Sequence, residues 1–245
     1  MRTIGVIPAR MGSTRFPGKV LALIGDKPMI QWVWEKAKQA IRLDEVLIAC
    51  DHLDVFKAAK AFGANAVMTD PKHPSGSDRI AEAVEDIECD IIVNIQGDEP
   101  FIDPKTIDAL AQLMQQDPLT PMGTVIKVIT GQGEFGDPNV VKCVVDTAGF
   151  ALYFSRAPIP YRRDPQATDI KRYKHLGLYA YRKDFLMQYK DWSKSTLESI
   201  EKLEQLRVLE KGYRIKTVVT EYESIAIDTP PDLQKALLWL QKQSN

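Results

Sequence analysis

The chain has 245 residues, with 32 Lys and Arg against 33 Asp and Glu, for a formal net charge of −1. Hydrophobic residues make up 44% and charged residues 27%, which excludes a disordered chain or a collagen-like fibre. Near-neutrality also argues against a protein that coats nucleic acid, since such proteins carry a basic excess.

Three cysteines, Cys50, Cys89 and Cys143, form no CxxC pair, and His52, His73 and His175 have no metal-site spacing. Cys50 and Cys143 lie among apolar residues and are expected in the core. So few cysteines fit a reducing cytoplasm. The first ten residues hold only a short apolar run, unlike a signal peptide. No run of about 18 apolar residues exists. A soluble, cytoplasmic protein without a membrane partner is therefore expected.

In chain order, residues 4–8 read as a buried strand leading into a Gly-rich loop. Ile30, Val33, Trp34, Ala37 and Ile41 are spaced as one face of a helix over 28–41. A strand at 45–50, a helix at 53–62, a strand at 64–68, a helix at 77–87 and a strongly β-like run at 90–95 follow. This alternation predicts right-handed βαβ units and a parallel sheet with helices on both faces. After residue 120 the pattern turns to strands at 125–129, 140–146 and 151–155, then an irregular basic stretch over 157–172. A strand at 175–181, an amphipathic helix at 196–211 and a strand at 215–220 come next. The last element is a helix at 230–242, with Thr229 as its N-cap and Pro230 in its first turn. No linker or repeat interrupts the chain, so the second half is expected on the same sheet.

Two loops carry the chemistry. Residues 8–19, directly after the first strand, hold Arg10, Arg15 and Lys19 with two glycines and two hydroxyls. That is the carboxyl-end position at which open α/β sheets bind ligands, and converging cations suit a triphosphate. Neither a P-loop nor a GxGxxG fingerprint fits the spacing. Asp98 follows the strand at 90–95, with Gly97 permitting close approach, and is a natural Mg²⁺ ligand. Asp228 ends another apolar run and reads equally as a ligand or a helix cap. At residues 75–79 (Ser-Gly-Ser-Asp-Arg) a helix begins, with Ser77 as the expected N-cap. Its N–H groups could meet a base or a sugar hydroxyl.

The blocks IPARMGSTRFPGK, VMTDPKHPSGSDR, IVNIQGDEP, GFALYFSRAPIPY, YKHLGLYAYR, EKLEQLRVLE and IDTPPDL occur in order between Ile4 and about Leu238. This series resembles the 3-deoxy-manno-octulosonate cytidylyltransferases. The resemblance implies a Rossmann-like α/β nucleotidyltransferase fold, with a mostly parallel central sheet flanked by helices. A smaller β-rich portion would bind sugar and form dimers. The implied organisation is a single domain over 1–245, with 1–120 mainly binding CTP and 121–245 mainly the sugar and the dimer partner.

The implied reaction joins CTP to 3-deoxy-D-manno-octulosonate, giving the CMP-sugar and pyrophosphate for lipopolysaccharide synthesis, with Mg²⁺ as cofactor. By matching positions, the resemblance assigns Arg10, Lys19 and Arg15 to the triphosphate, and Ala9, Ser75, Gly76 and Arg79 to the cytidine. Asp98 and Asp228 would hold the metal. Gln96, Arg156, His175, Tyr179, Glu204 and Gln205 would bind the sugar acid. Arg10, Lys19, Asp98 and Asp228 make up the implied catalytic set, and a homodimer is expected through the strand at 151–155.

One segment departs from the family pattern. Many members carry a Gly-rich turn before Asp228, whereas here residues 221–224 read Glu-Tyr-Glu-Ser. This opens an alternative sugar, 8-amino-3,8-dideoxy-manno-octulosonate, whose ammonium would gain from a nearby carboxylate. Another CMP-sugar synthetase, such as one acting on sialate, is a further alternative. A nucleotide-binding protein without catalysis would show erosion at Lys19, Asp98 or Asp228, yet all three are present.

Overall fold

The computed structural model describes residues 1–13, 15–131, 133–164, 166 and 171–243. The first half comprises β1 (Thr3–Ala9), a small hairpin of β2 (Leu23–Ile24) and β3 (Lys27–Pro28), and α1 (Met29–Ala37). After these come β4 (Glu45–Cys50), α2 (Leu53–Ala61), β5 (Asn65–Met68), α3 (Gly76–Ala83), β6 (Ile91–Asn94) and α4 (Pro104–Gln116). The second half adds β7 (Met122–Val128), β8 (Lys142–Val145), β9 (Ala151–Ser155), β10 (Tyr173–Arg182) and α5 (Lys183–Tyr189). It closes with α6 (Thr196–Glu201), α7 (Leu206–Glu210), β11 (Ile215–Val219) and α8 (Pro230–Gln243).

A nine-stranded sheet runs β11-β7-β10-β6-β1-β4-β5, with β8 and β9 attached beside β10. Strands β6, β1, β4 and β5 are parallel, and β10 runs antiparallel between β6 and β7. Along β1, Ile4 and Val6 enter one core and Ile7 and Ala9 the other. Alternate residues of a strand face opposite sides, so a sheet covered on both faces needs the continuous apolar runs that the sequence displays. Cys50 and Cys143 are buried free thiols, as their apolar neighbours predict. Among the described residues, no helix is long and apolar enough to cross a membrane.

Several boundaries differ from the sequence pattern. The helix expected over 28–41 ends at Ala37 in a tight turn, and Ile41 is exposed rather than on the buried face. The helix expected over 196–211 is two helices, because Lys202 adopts a left-handed φ of 55° and terminates α6. A buried ion pair between Glu198 and Arg207 ties the two pieces together. The α3 cap is Ser75, whose hydroxyl accepts the Asp78 N–H, while Ser77 is buried at the second position of the helix. Before α8, the Thr229 hydroxyl donates to Asp232 at 2.7 Å, and the same carboxylate accepts the Thr229 N–H. Two helices lie outside the elements expected from the sequence pattern: α4, capped by Asp103 with Pro104 in its first turn, and α5.

Candidate active site

The carboxyl ends of β1 and β6 open into a cleft of about 480 Å³. The loop after β1 contributes Arg10, Ser13 and Arg15, and Gly18 sits at φ 68°, a left-handed value that favours glycine. That turn delivers Lys19 to the cleft floor. The Lys19 ammonium donates to Asp98 Oδ2 at 2.7 Å, to Asp228 Oδ1 at 2.8 Å and to the Ile227 carbonyl at 3.3 Å. The second oxygen of Asp228 meets Arg15 at 3.0 Å. Burial alone would lower the Lys19 pKa, but Asp98 and Asp228 outweigh it and hold it above its ordinary value. Gly97, beside Asp98, must lack a side chain: a Cβ there would lie 2.8 Å from the Pro8 carbonyl oxygen.

Ser75, Gly76 and Arg79 form the opposite wall. Arg79 is 3% exposed, and its guanidinium is held by Asp51 Oδ2 at 3.0 Å and by the Thr69 hydroxyl. Asp51 Oδ1 accepts the Met11 N–H at 2.8 Å, joining this wall to the basic loop. His73, also in the wall, is bonded to Glu82. Ala9 is fully buried in the core and does not line the cleft, so its side chain is unavailable to a cytidine.

A second cavity of about 100 Å³ shares Gly76, Gln96 and Glu204 with the cleft and continues it under β10. Gln96 donates to the Gly177 carbonyl at 2.8 Å. Tyr179 donates to Gln205 Oε1 at 3.0 Å, and Tyr189 donates to Glu204 Oε1 at 2.8 Å. Glu204 also lies 3.4 Å from the Ser75 hydroxyl, so the two walls meet here.

His175 stands behind this layer, 2.9 Å from the Thr124 hydroxyl and against the rings of Phe154 and Tyr179. Burial pushes its pKa down to about 3. His175 therefore supports Tyr179 and lines neither cavity. Arg156 is not brought to the site. Its guanidinium donates to the backbone carbonyls of Glu201 and Pro138, at 2.8 Å and 2.9 Å.

The Glu-rich segment before Asp228 also faces elsewhere. Glu223 is paired with Lys127 at 3.0 Å and with Lys174, Glu221 is exposed, and Ser224 bonds to Glu99. None of these lines either cavity, which removes the placement that motivated an amino-sugar substrate. Glu99, buried beneath Asp98, has its pKa raised to about 7 by desolvation and by the Asp98 charge.

Asp51, His73, Asn94, Tyr181 and Tyr189 reach the site without having been picked out from the sequence. Asp51 and Asn94 had a readable signal, since each stands at a parallel strand's carboxyl end, the rule that found Asp98. Tyr181 and Tyr189 had none, because an aromatic stripe reads as core.

For a metal, no cluster of three or more His, Cys, Asp or Glu exists among the described residues. Asp98 and Asp228 nevertheless converge on one cation, the Lys19 ammonium, and offer hard oxygen donors of the kind Mg²⁺ takes alongside substrate phosphates. Apart from the Arg79–Asp51 pair, the cleft sets three cations (Arg10, Arg15, Lys19) against three carboxylates (Asp98, Glu204, Asp228). An entering triphosphate would therefore bring uncompensated negative charge, and these residues fit a divalent cation.

The Cytidylyltransferase family model matches residues 4–217. A protein of Solibacter usitatus, 3-deoxy-manno-octulosonate cytidylyltransferase, is 53% identical over 234 residues, covering 96% of this chain and 92% of that protein. A protein of the same name from Geotalea uraniireducens is 49% identical, covering 99% of this chain and all of that one. A solved structure of CMP:2-keto-3-deoxy-manno-octonic acid synthetase complexed with CTP superposes with a TM-score of 0.94 at 43% identity, covering 99% of this chain and 100% of that one. With the motif loops assembled around one cleft and relatives of this identity along nearly its whole length, the chain belongs to the 3-deoxy-manno-octulosonate cytidylyltransferase family.

Proposed function

We propose that this protein transfers CMP from CTP to 3-deoxy-D-manno-octulosonate. The sugar's anomeric C2 hydroxyl loses its proton to solvent as its oxygen forms the new bond to the α-phosphorus. The bond from that phosphorus to the bridging oxygen breaks, and pyrophosphate leaves. The observation that carries this reading is Lys19 held between Asp98 and Asp228, where the basic loop meets the passage to the polar inner cavity.

In this reading Lys19 and Arg15 exchange carboxylate partners for triphosphate oxygens and the exposed Arg10 joins them, neutralising charge that would otherwise repel the attacking oxygen. Ser75 and Gly76 present the start of α3 to the cytidine. The Asp51–Arg79 pair fixes that wall against the loop. Gln96, Tyr179, Glu204 and Gln205 hold the sugar's hydroxyls and orient C2, and positioning of this kind is a large part of such catalysis. Asp98 and Asp228 would hold Mg²⁺, which when bound supplies Lewis-acid stabilisation of the triphosphate and lowers the pKa of the attacking hydroxyl.

The same reading includes a homodimer through β9, supported by the exposed apolar side chain of Leu152 on that strand, and action in the cytoplasm. Pyrophosphate release with CTP and Mg²⁺, assayed with octulosonate, its 8-amino analogue and sialate in turn, tests the proposal. Release is expected with octulosonate foremost. Its absence with that sugar refutes the assignment.

A further inference from the structure

Asn94 ends β6 directly across from Tyr179 of β10. It is 3% exposed, and its side-chain oxygen Oδ1 has no hydrogen-bond partner. Gln205 is also 3% exposed; its Oε1 accepts from Tyr179, while its Nε2 has no partner. Both residues line the inner cavity, together with Tyr181, Tyr189 and Glu204. Buried polar groups are nearly always paired in native proteins, so an unpaired acceptor and an unpaired donor in one small cavity call for an explanation.

Their chemistry narrows the answer. A hydroxyl both accepts and donates, and so satisfies Gln205 Nε2 and Asn94 Oδ1 together. An ammonium has donors only, and would leave the Gln205 amide facing a cation. A carboxylate has acceptors only, and would face the Asn94 oxygen. We infer that Asn94 and Gln205 form a donor–acceptor pair that selects one neutral hydroxyl of the sugar's polyol chain at the closed end of the cleft. The inference rests on the sugar-activating reading above, and assigns Asn94 a part in specificity. It also predicts a preference for a hydroxyl over an amino group at that one carbon without any contribution from the Glu-rich segment.

The test uses the full-length enzyme with octulosonate and its monodeoxy analogues. At one position, wild-type kcat/KM should fall about 100-fold or more, because deletion of the hydroxyl strands both amides. Asn94→Leu should lose roughly tenfold or more with the parent sugar, through KM for the sugar and not for CTP, and lose nothing further with that one analogue. Asn94→Ser is the milder variant should the leucine disturb β6.

A bound water satisfying the two amides would instead make the enzyme indifferent to deoxygenation. Wild type accepting every deoxy analogue within about threefold of the parent overturns the inference. So does an Asn94 variant equally impaired with the parent and with all analogues, or rapid turnover of the amino analogue at the sensitive carbon. Complete absence of wild-type turnover with octulosonate is a separate result, which overturns the activity reading and this inference with it.

Discussion

Asp51 grips the Arg79 guanidinium at 3.0 Å with one carboxylate oxygen and the Met11 N–H at 2.8 Å with the other. One side chain at the end of β4 thus couples the start of α3 to the basic loop, so the two walls of the cleft are positioned together. Both partners are largely withdrawn from water, at 10% and 3% side-chain exposure. Removing one member of such a pair strands the other charge. Asp51→Asn is therefore expected to cost about 3 kcal/mol of stability. KM for CTP should rise more than KM for the sugar. Denaturant unfolding and steady-state kinetics check both; an unchanged midpoint would mean that the pair carries no structural load.

Lys19 neutralises two carboxylates that would otherwise face each other across the cleft floor. Lys19→Met removes the proposed triphosphate partner and leaves Asp98 and Asp228 without their shared cation. Turnover should fall by about three orders of magnitude, the scale on which transition-state electrostatics operate. At the same time the CTP-free protein should bind Mn²⁺ roughly tenfold or more tightly, because a competing cation has gone. Calorimetric titration of Mn²⁺ into wild type and variant reads the second effect independently of turnover. Weaker Mn²⁺ binding in the variant would contradict a shared carboxylate site.

The readable part of this site follows from strand ends. Arg10 and Asp98 stand close behind buried parallel strands, where a charged residue has few structural reasons to be, Arg15 and Lys19 follow in the same loop as Arg10, and all four line the cleft. Arg156 illustrates the opposite case: nothing in a linear basic stretch reveals that its guanidinium folds back onto the Glu201 and Pro138 carbonyls. The break between α6 and α7 was equally hidden. Leu203 and Leu206 keep the apolar spacing of one continuous helix, and only the left-handed backbone of Lys202 divides it. Asp51 carries the same strand-end signal as Asp98, but what it does there depends on Arg79, 28 positions away, which the linear order does not reveal.

The Glu223 carboxylate, before Asp228, is engaged by the fold. Glu223 bridges Lys127 and Lys174, and its side chain is 59% exposed. Lys174 keeps Glu134 as a second partner. Glu223→Gln should therefore change stability by no more than about 1 kcal/mol. The ratio of kcat/KM for octulosonate over its 8-amino analogue should stay within about twofold of wild type, since specificity follows differential contacts with the substrate. Competition between the two sugars at fixed CTP measures that ratio, and a marked shift toward the hydroxyl sugar would restore a role for this segment in sugar choice.

His175 should make the protein acid-sensitive in a definite direction. In the unfolded chain its imidazole titrates near 6.5, whereas burial among Phe154 and Tyr179 lowers the folded value to about 3. Between those values the unfolded chain binds the extra proton, so stability rises with pH across that window. The contribution of neutral His175 is complete above pH 6.5 and is lost as pH falls toward 3, with a slope of at most about 1.4 kcal/mol per pH unit. Urea unfolding of wild type and His175→Gln at several pH values in that range should give the variant the shallower acid dependence. Imidazole nitrogen chemical shifts should report a neutral ring in the folded wild type at pH 5. A protonated ring at that pH, or parallel acid profiles for the two proteins, would mean that His175 is solvated rather than enclosed behind Tyr179.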